Sequence, residues 1–239
     1  MPSDVYELTL DGPGKNAMST TLMTDTLQQI RSAGGRPLLL TGAGDTFSAG
    51  LNLKEVAAFD PPGMTRYLLL LDELIDTLFE YPGPTVACVN GHAIAGGCVL
   101  VLCCDLRVAA DDPKIRIGLN EVARGLEFPP KILALARRRV PPRSIERVLL
   151  EAALHDPRAA LQHGLVDEVT ADAATAARAH LATLAAHPRA VYTATKRALR
   201  AGALALSDEQ RRHFTEHVVP AWCAPEVKAR VLAALKPSR

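Results

Sequence analysis

A glycine pair at the junction between two buried segments is the feature that most constrains this chain. Residues 84–90 are apolar and rich in β-branched side chains, which predicts a short buried strand. Residues 99–104 are apolar without a break, which predicts a buried helix ending near Asp105. Gly96 and Gly97 lie between the two, where backbone N–H groups and the positive end of the helix dipole face outward. A ligand oxygen can approach such a backbone closely enough to accept a hydrogen bond.

A second glycine-rich turn follows a second apolar strand, predicted at residues 38–41. An isolated glycine pair more often only lets a helix pack tightly against its strand, so this second junction is what favours a binding site. Two strand-to-turn junctions can place two backbone N–H groups around one oxygen atom.

Strand and helix patterns alternate along the chain, and this alternation predicts an α/β fold. Residues 4–10 alternate polar and apolar as a half-buried strand does, and an amphipathic helix is predicted from Ser19 to the glycines at 34–35. A strand at 37–41 and a helix at about 62–80 follow. Successive strand–helix–strand units are typical of a mostly parallel sheet.

Composition excludes several classes of protein. Among 239 residues the net charge is +1, so no strong field would attract nucleic acid or a membrane surface. No apolar run reaches the roughly 18 residues that a membrane span needs, and no signal-peptide pattern begins the chain. The five cysteines follow no disulfide or metal-ligand spacing, which favours free thiols, no bound metal and a cytoplasmic location.

Two basic segments are predicted to lie on the solvated surfaces of helices. One is the arginine run 137–139, and the other contains Lys196 and Arg197. Long cationic side chains usually keep their charged ends in water.

Four segments resemble, in order and spacing, the crotonase (enoyl-CoA hydratase/isomerase) superfamily: residues 47–53, 89–97, 104–107 and 117–121. The resemblance covers the chain from about residue 5 to about residue 200. It implies a core of repeated ββα turns over 1–170 and a C-terminal helical region over 171–239 that covers the core or joins subunits. It also implies an acyl-CoA thioester substrate, no cofactor apart from the coenzyme A of that substrate, and a homotrimer or hexamer. No nucleic acid or membrane partner is expected.

The same resemblance assigns roles to individual residues. It implies that the N–H groups of Leu51 and Gly96 form the oxyanion hole, and that Glu121 acts directly on the acyl chain. On its own, a glutamate after a strand is more often the first residue of a helix. The substrate-binding candidates around these three residues are Ala49, Gly50, Asn52, Gly97, Val99 and Glu127.

Val99 is where the chain departs from the hydratases that it resembles. Those enzymes carry a second glutamate two places after the last glycine of this loop, and here the residue is apolar. The pattern is closer to the single-glutamate Δ3,Δ2-enoyl-CoA isomerases, in which one base takes a proton from C2 and returns it to C4. Glu127, six residues after Glu121, is either an ordinary surface acid or a substitute second carboxylate, and the latter would favour hydration or another crotonase reaction. A binding protein without catalysis is the third possibility.

Overall fold

The computed structural model describes residues 4–235. The strands are β1 (Tyr6–Leu10), β2 (Leu38–Gly42), β3 (Thr46–Ser48), β4 (Thr85–Val89), β5 (His92–Ile94), β6 (Leu106–Ala110), β7 (Ile117–Gly118) and β8 (Glu168–Thr170). The helices are α1 (Pro13–Asn16), α2 (Thr20–Ser32), α3 (Leu53–Ala58), α4 (Pro61–Phe79), α5 (Gly96–Cys103), α6 (Pro130–Arg139), α7 (Pro142–Leu150), α8 (Pro157–Gln162), α9 (Ala173–Ala185), α10 (Arg189–Arg200), α11 (Asp208–His213), α12 (Val219–Cys223) and α13 (Pro225–Ala233). A 3-10 turn spans Val122–Arg124, and a π-helical turn spans Phe214–Val218.

Two parallel sheets form the framework of the protein. The larger has the strand order β1-β2-β4-β6-β8, and the smaller has the order β3-β5-β7. In the larger sheet Leu8 lies opposite Leu40, which lies opposite Ala87, so the apolar residues of successive strands meet in register. The α/β organisation with parallel strands, predicted from the alternating patterns, is confirmed.

The smaller sheet positions the glycine-rich turns. Its three strands are parallel, so the segments that follow their carboxyl ends leave the sheet on the same side. These segments are residues 49–51 after β3, 95–97 after β5 and 119–121 after β7. Parallel pairing therefore brings together three short pieces of chain that are far apart in sequence.

Helix α5 lies at the centre of the protein. All eight of its residues are buried, and it packs against α4, α6 and β5. A helix that is apolar on every side can be stable only in such a position. The sequence predicted the buried helix, although the helix begins at Gly96, three residues earlier than the unbroken apolar run.

Helix α9 packs on the larger sheet, against β4 and β6. Ala173, Ala177 and Leu181 form a separate apolar cluster there with residues such as Val86 and Val108. The division of the chain at residue 170 remains a prediction, and the first helix after that point contributes to the packing of the sheet.

The structure corrects the surface placement of two basic side chains. Lys196 is only 8% exposed, and its Nζ lies 2.8 Å from both the carbonyl oxygen of Gly83 and a carboxylate oxygen of Asp105. Arg139 donates from Nε to the carbonyl oxygen of Leu102 at 2.8 Å, and Arg200 donates to Asp105 at 2.6 Å. The last carbonyl groups of a buried helix need donors, and at the end of α5 Arg139 donates to Leu102 and Arg200 donates to Cys103.

The remaining predictions from composition concern cysteines and membrane helices. All five cysteines are free thiols, four of them buried. Within residues 4–235, no helix combines the length and apolar character that crossing a bilayer requires.

Candidate active site

The first two glycine-rich turns contact each other beyond the carboxyl ends of β3 and β5. Gly50 has a φ of +88°, and a Cβ atom at this position would lie 2.6 Å from the carbonyl oxygen of Ile94 and 3.4 Å from the nitrogen of Gly96. Only glycine fits so close an approach in this conformation. The N–H of Met18 donates to the Gly50 carbonyl at 2.8 Å, which fixes the turn from its other side.

Ala95 redirects the chain from β5 into α5 through a strained backbone. Its φ of 48° and ψ of −117° are rare for any residue with a side chain. This conformation places Gly96 at the first position of α5, where its N–H has no carbonyl partner within the helix.

Two backbone N–H groups are available for a ligand at the contact between the turns. In the part of the chain that the structure describes, neither the N–H of Leu51 nor that of Gly96 donates to a protein acceptor. The two residues are neighbours, since a Cβ atom at Gly96 would lie 3.2 Å from a methyl group of Leu51. The two N–H groups therefore belong to neighbouring residues of adjacent turns, and their role as an oxyanion hole stays a prediction.

Glu121 supplies a buried carboxyl group beside these donors. It is 4% exposed, and among residues 4–235 its Oε2 atom has no hydrogen-bond partner. Burial raises the pKa of this carboxyl from 4.5 to about 7, because the apolar surroundings disfavour the charged form. The 3-10 turn holds its backbone, with the N–H groups of Arg124 and Leu126 donating to the Glu121 carbonyl at 2.9 and 3.0 Å.

The carboxyl group faces a small cavity of about 60 Å³. Among the residues that the structure describes, Glu121 is the only carboxylate on its wall. No group of three or more metal-ligating side chains that could hold an ion occurs among residues 4–235. The residues that line the cavity are Ala49, Leu51, Leu53, Val56, Ile94, Ala95, Asn120, Glu121, Arg124, Leu126 and Trp222.

The structure brings together only part of the predicted site. Ala49, Leu51 and Glu121 line the cavity, and Gly50 and Gly96 shape its edge through their backbones. The role of each of these residues in binding or catalysis stays a prediction.

Gly97, Asn52 and Val99, three predicted substrate-binding residues, have other positions that are not on the cavity wall. Gly97 packs against Ser48, where a Cβ atom would lie 2.6 Å from the Ser48 carbonyl oxygen. Asn52 caps α3, accepting from the N–H of Lys54 at 3.1 Å. Val99 is fully buried inside α5, among the core side chains.

Glu127 does not point into the cavity. Its side chain is 45% exposed, and its carboxylate lies 2.5 Å from Nε2 of His213 on the protein surface. The position of this side chain agrees with the surface alternative, and a role of Glu127 in substrate binding stays a prediction. Only the backbone of Glu127 is near the site, since its carbonyl oxygen accepts a hydrogen bond from the indole of Trp222 at 2.8 Å.

The sequence analysis did not predict most of the residues that line the cavity. Some of these unpredicted residues lie inside the segments that carry the family resemblance but were not singled out there, and the others come from α3, the segment after Glu121 and α12, which carry no recognisable motif. The one available signal was Trp222, the single tryptophan of the chain. The missed residues are Leu53, Val56, Ile94, Ala95, Asn120, Arg124, Leu126 and Trp222.

Known proteins are similar to this chain in sequence and in fold. The enoyl-CoA hydratase/isomerase family model matches residues 1–224. The mitochondrial enoyl-CoA delta isomerase 1 of Mus musculus is 35% identical over 173 residues, which cover 70% of this chain and 60% of the mouse protein. A probable enoyl-CoA hydratase of Mycobacterium tuberculosis strain H37Rv is 31% identical over 212 residues, covering 86% of this chain and 82% of that protein.

Comparison with solved structures gives the same result for the fold. The crystal structure of human mitochondrial Δ3-Δ2-enoyl-CoA isomerase superimposes with a TM-score of 0.91 at 27% identity, covering 97% of this chain and 93% of the human one. The expected crotonase-like core is thereby confirmed. With two glycine-rich turns, a buried glutamate and a matching family model over most of its length, the chain belongs to the enoyl-CoA hydratase/isomerase family.

Proposed function

We propose that this protein is a Δ3,Δ2-enoyl-CoA isomerase that uses Glu121 as its single acid–base group. The observation that carries this proposal is that Glu121 is the only carboxylate lining the cavity in the described part of the chain. One base is enough for isomerisation, because the proton removed from one carbon can be returned to another.

The proposed reaction has two proton transfers and no net change in composition. The thioester oxygen accepts hydrogen bonds from the N–H groups of Leu51 and Gly96. Glu121 removes a proton from C2, and the electrons of the C–H bond pass into the thioester to form a dienolate. Glu121 then delivers the proton to C4, and the double bond moves from C3–C4 to C2–C3. The chemistry needs no redox partner, so coenzyme A enters only as part of the substrate.

Charge develops on the thioester oxygen as the proton leaves, and the fixed donors favour that charged state. Each oxyanion-hole donor in comparable enzymes contributes about 3 kcal/mol to transition-state stabilisation. The apolar wall strengthens these hydrogen bonds and excludes water that could protonate the dienolate. The raised pKa of Glu121 suits a group that must accept and release a proton near neutral pH.

Hydration is the second candidate, because several relatives are named hydratases. It would require a carboxylate to hold the attacking water as well as Glu121. The apolar side chain of Val99 stands where the resemblance places that second glutamate, and Glu127 points to the surface.

The test is conversion of trans-3-hexenoyl-CoA to the conjugated 2-enoyl thioester, followed by its absorbance, with hydration of 2-hexenoyl-CoA measured in parallel. We expect isomerisation by the native protein and a loss of at least 1,000-fold in kcat for Glu121→Gln, on the order expected when an essential base is removed. Glu127→Gln is the matched control and should keep its activity.

Other results would contradict the proposal. Hydration without isomerisation would indicate a hydratase with an unidentified second acid. Tight binding of acyl-CoA thioesters without turnover, unchanged in Glu121→Gln, would indicate a binding protein.

We also propose that the protein assembles as a homotrimer or hexamer, as the family resemblance implies. In support, Val191 and Leu199 on α10 are each 64% exposed and line a surface cavity of about 420 Å³. Large apolar side chains gathered in one open cavity suit contact with another subunit. The cytoplasmic location stays a prediction.

A further inference from the structure

Trp222 forms one wall of the cavity and is almost completely buried. It is 1% exposed and is the largest fully buried side chain in the described part of the chain. Its indole N–H donates to the carbonyl oxygen of Glu127 at 2.8 Å, so the ring is fixed in orientation as well as enclosed.

The C-terminal helices hold Trp222 rigidly against the site. Trp222 lies in α12, directly after the π-helical turn Phe214–Val218, a rare geometry that often occurs at functional sites. The following helix, α13, packs on α3, and Nζ of Lys228 donates to the carbonyl oxygen of Phe59 at 2.6 Å. Helix α12 itself packs against α4 and α13, so tertiary contacts support the wall that Trp222 provides.

The space in front of Trp222 is small. About 10–15 Å³ of such space is enough for one water-sized group, so 60 Å³ holds about four to six such groups. Leu53, Val56 and Leu126 line the same cavity, so the wall beside Trp222 is apolar.

We infer that Trp222 determines acyl-chain specificity, and that it restricts the site to short, unbranched thioesters of about four to six carbons. This inference rests on the acyl-CoA site proposed above and names its substrate class. A longer chain would have to displace the indole and break its bond to the loop at Glu127. That loop follows the 3-10 turn whose N–H groups hold the Glu121 carbonyl, so displacement would also disturb the catalytic glutamate.

The test is a binding series with saturated, unreactive thioesters, from butyryl-CoA to decanoyl-CoA, measured by calorimetry on the full-length protein. For the native protein we expect binding to weaken at least tenfold from hexanoyl-CoA to decanoyl-CoA. Trp222→Leu should reverse this order of affinities. It should bind decanoyl-CoA at least tenfold more tightly than the native protein does. Trp222→Phe removes less volume and should give an intermediate profile.

Phe214→Leu is the matched control, since Phe214 is buried in the same C-terminal segment but does not line the cavity. It should keep the native order of affinities. If Trp222→Leu fails to fold, the native series and Trp222→Phe still decide the question. Equal or tighter binding of decanoyl-CoA by the native protein would overturn the inference.

The binding series separates this inference from the proposed reaction. If the protein binds longer acyl-CoA thioesters more weakly but isomerises no 3-enoyl-CoA, the isomerase proposal is contradicted and the length limit is supported. Isomerisation of 3-decenoyl-CoA as efficient as that of 3-hexenoyl-CoA would support the isomerase proposal and contradict the length limit.

Discussion

Glu121 carries a cost in stability that follows from its burial. Its carboxyl is enclosed by apolar side chains, and in the described part of the chain Oε2 lacks a donor that would stabilise the charge. In the unfolded chain the same carboxyl ionises near 4.5, whereas in the folded protein it ionises near 7. The proposed proton transfer favours a raised pKa at this residue, whereas stability of the folded protein at neutral pH favours an unshifted one.

We expect Glu121→Gln to stabilise the protein at high pH. The native glutamate favours the folded state fully below pH 4.5, and this contribution is lost as pH rises through about 7, because the unfolded state then releases its proton first. The loss amounts to about 3 kcal/mol in the free energy of unfolding, at 1.36 kcal/mol for each pKa unit. Glutamine cannot ionise and has no such loss.

Urea unfolding of both proteins at pH 4.5 and pH 8 measures the effect. The free energy of unfolding of the native protein should fall relative to that of Glu121→Gln between these values. Glu127→Gln, at an exposed carboxylate, is the control and should follow the native curve. Parallel curves for the native protein and Glu121→Gln would show that the carboxyl is not buried as described.

At the scale of elements, the contact between the turns after β3 and β5 depends on Gly50. At position 50, φ is +88° and a Cβ atom would lie 2.6 Å from a backbone carbonyl oxygen, so no amino acid other than glycine fits there. The same contact sets the separation between the N–H groups of Leu51 and Gly96. One position, Gly50, therefore controls both the packing of two elements and the geometry of the proposed oxyanion hole.

Gly50→Ala should lower kcat/KM for isomerisation by about 100-fold, because a shift of about 1 Å in the Leu51 donor weakens its hydrogen bond in the transition state. Gly44→Ala is the matched control. Gly44 also has a positive φ, of +70°, but a Cβ atom there would meet nothing within 4 Å. Its substitution should cost about 1 kcal/mol of stability from backbone strain alone and leave kcat/KM unchanged. An equal loss of activity in both variants would point to general destabilisation instead.

At the scale of the whole molecule, α10 has two different faces. Its inner face carries Lys196 and Arg200, which pair with Asp105 at 2.8 and 2.6 Å. Burial alone would raise the pKa of Asp105, but these two cations outweigh it and hold that pKa below its usual value. The outer face exposes Val191 and Leu199, so the helix joins the core on one side and remains apolar on the other.

Leu199→Asp should dissociate the proposed homo-oligomer, because a carboxylate in an apolar contact between subunits would lose its hydration. Light scattering coupled to gel filtration measures the mass of each variant. Leu161→Asp is the matched control, at a leucine that is 40% exposed on α8. Equal masses for the native protein and Leu199→Asp would exclude this face of α10 from the interface.

The amino-acid sequence by itself determined the features that arise within a short stretch of chain. Apolar periodicity specified the parallel strands and the buried helix α5, and glycine placement specified the turns around Gly50 and Gly96. The position of Glu121 after β7 also followed from a local segment. These features depend on backbone geometry and on burial patterns that a few neighbouring residues encode.

Only the tertiary structure decided which side chains meet across long separations. The indole of Trp222 bonds to a carbonyl 95 residues away, and the Nζ of Lys196 bonds to a carboxylate 91 residues away. Glu127 faces His213 on the surface because of how α11 packs, although its distance from Glu121 along the chain allowed either direction. Helical periodicity gives the faces of a helix but not the partner that each face meets, so the wall of the cavity and the buried cations could come only from packing.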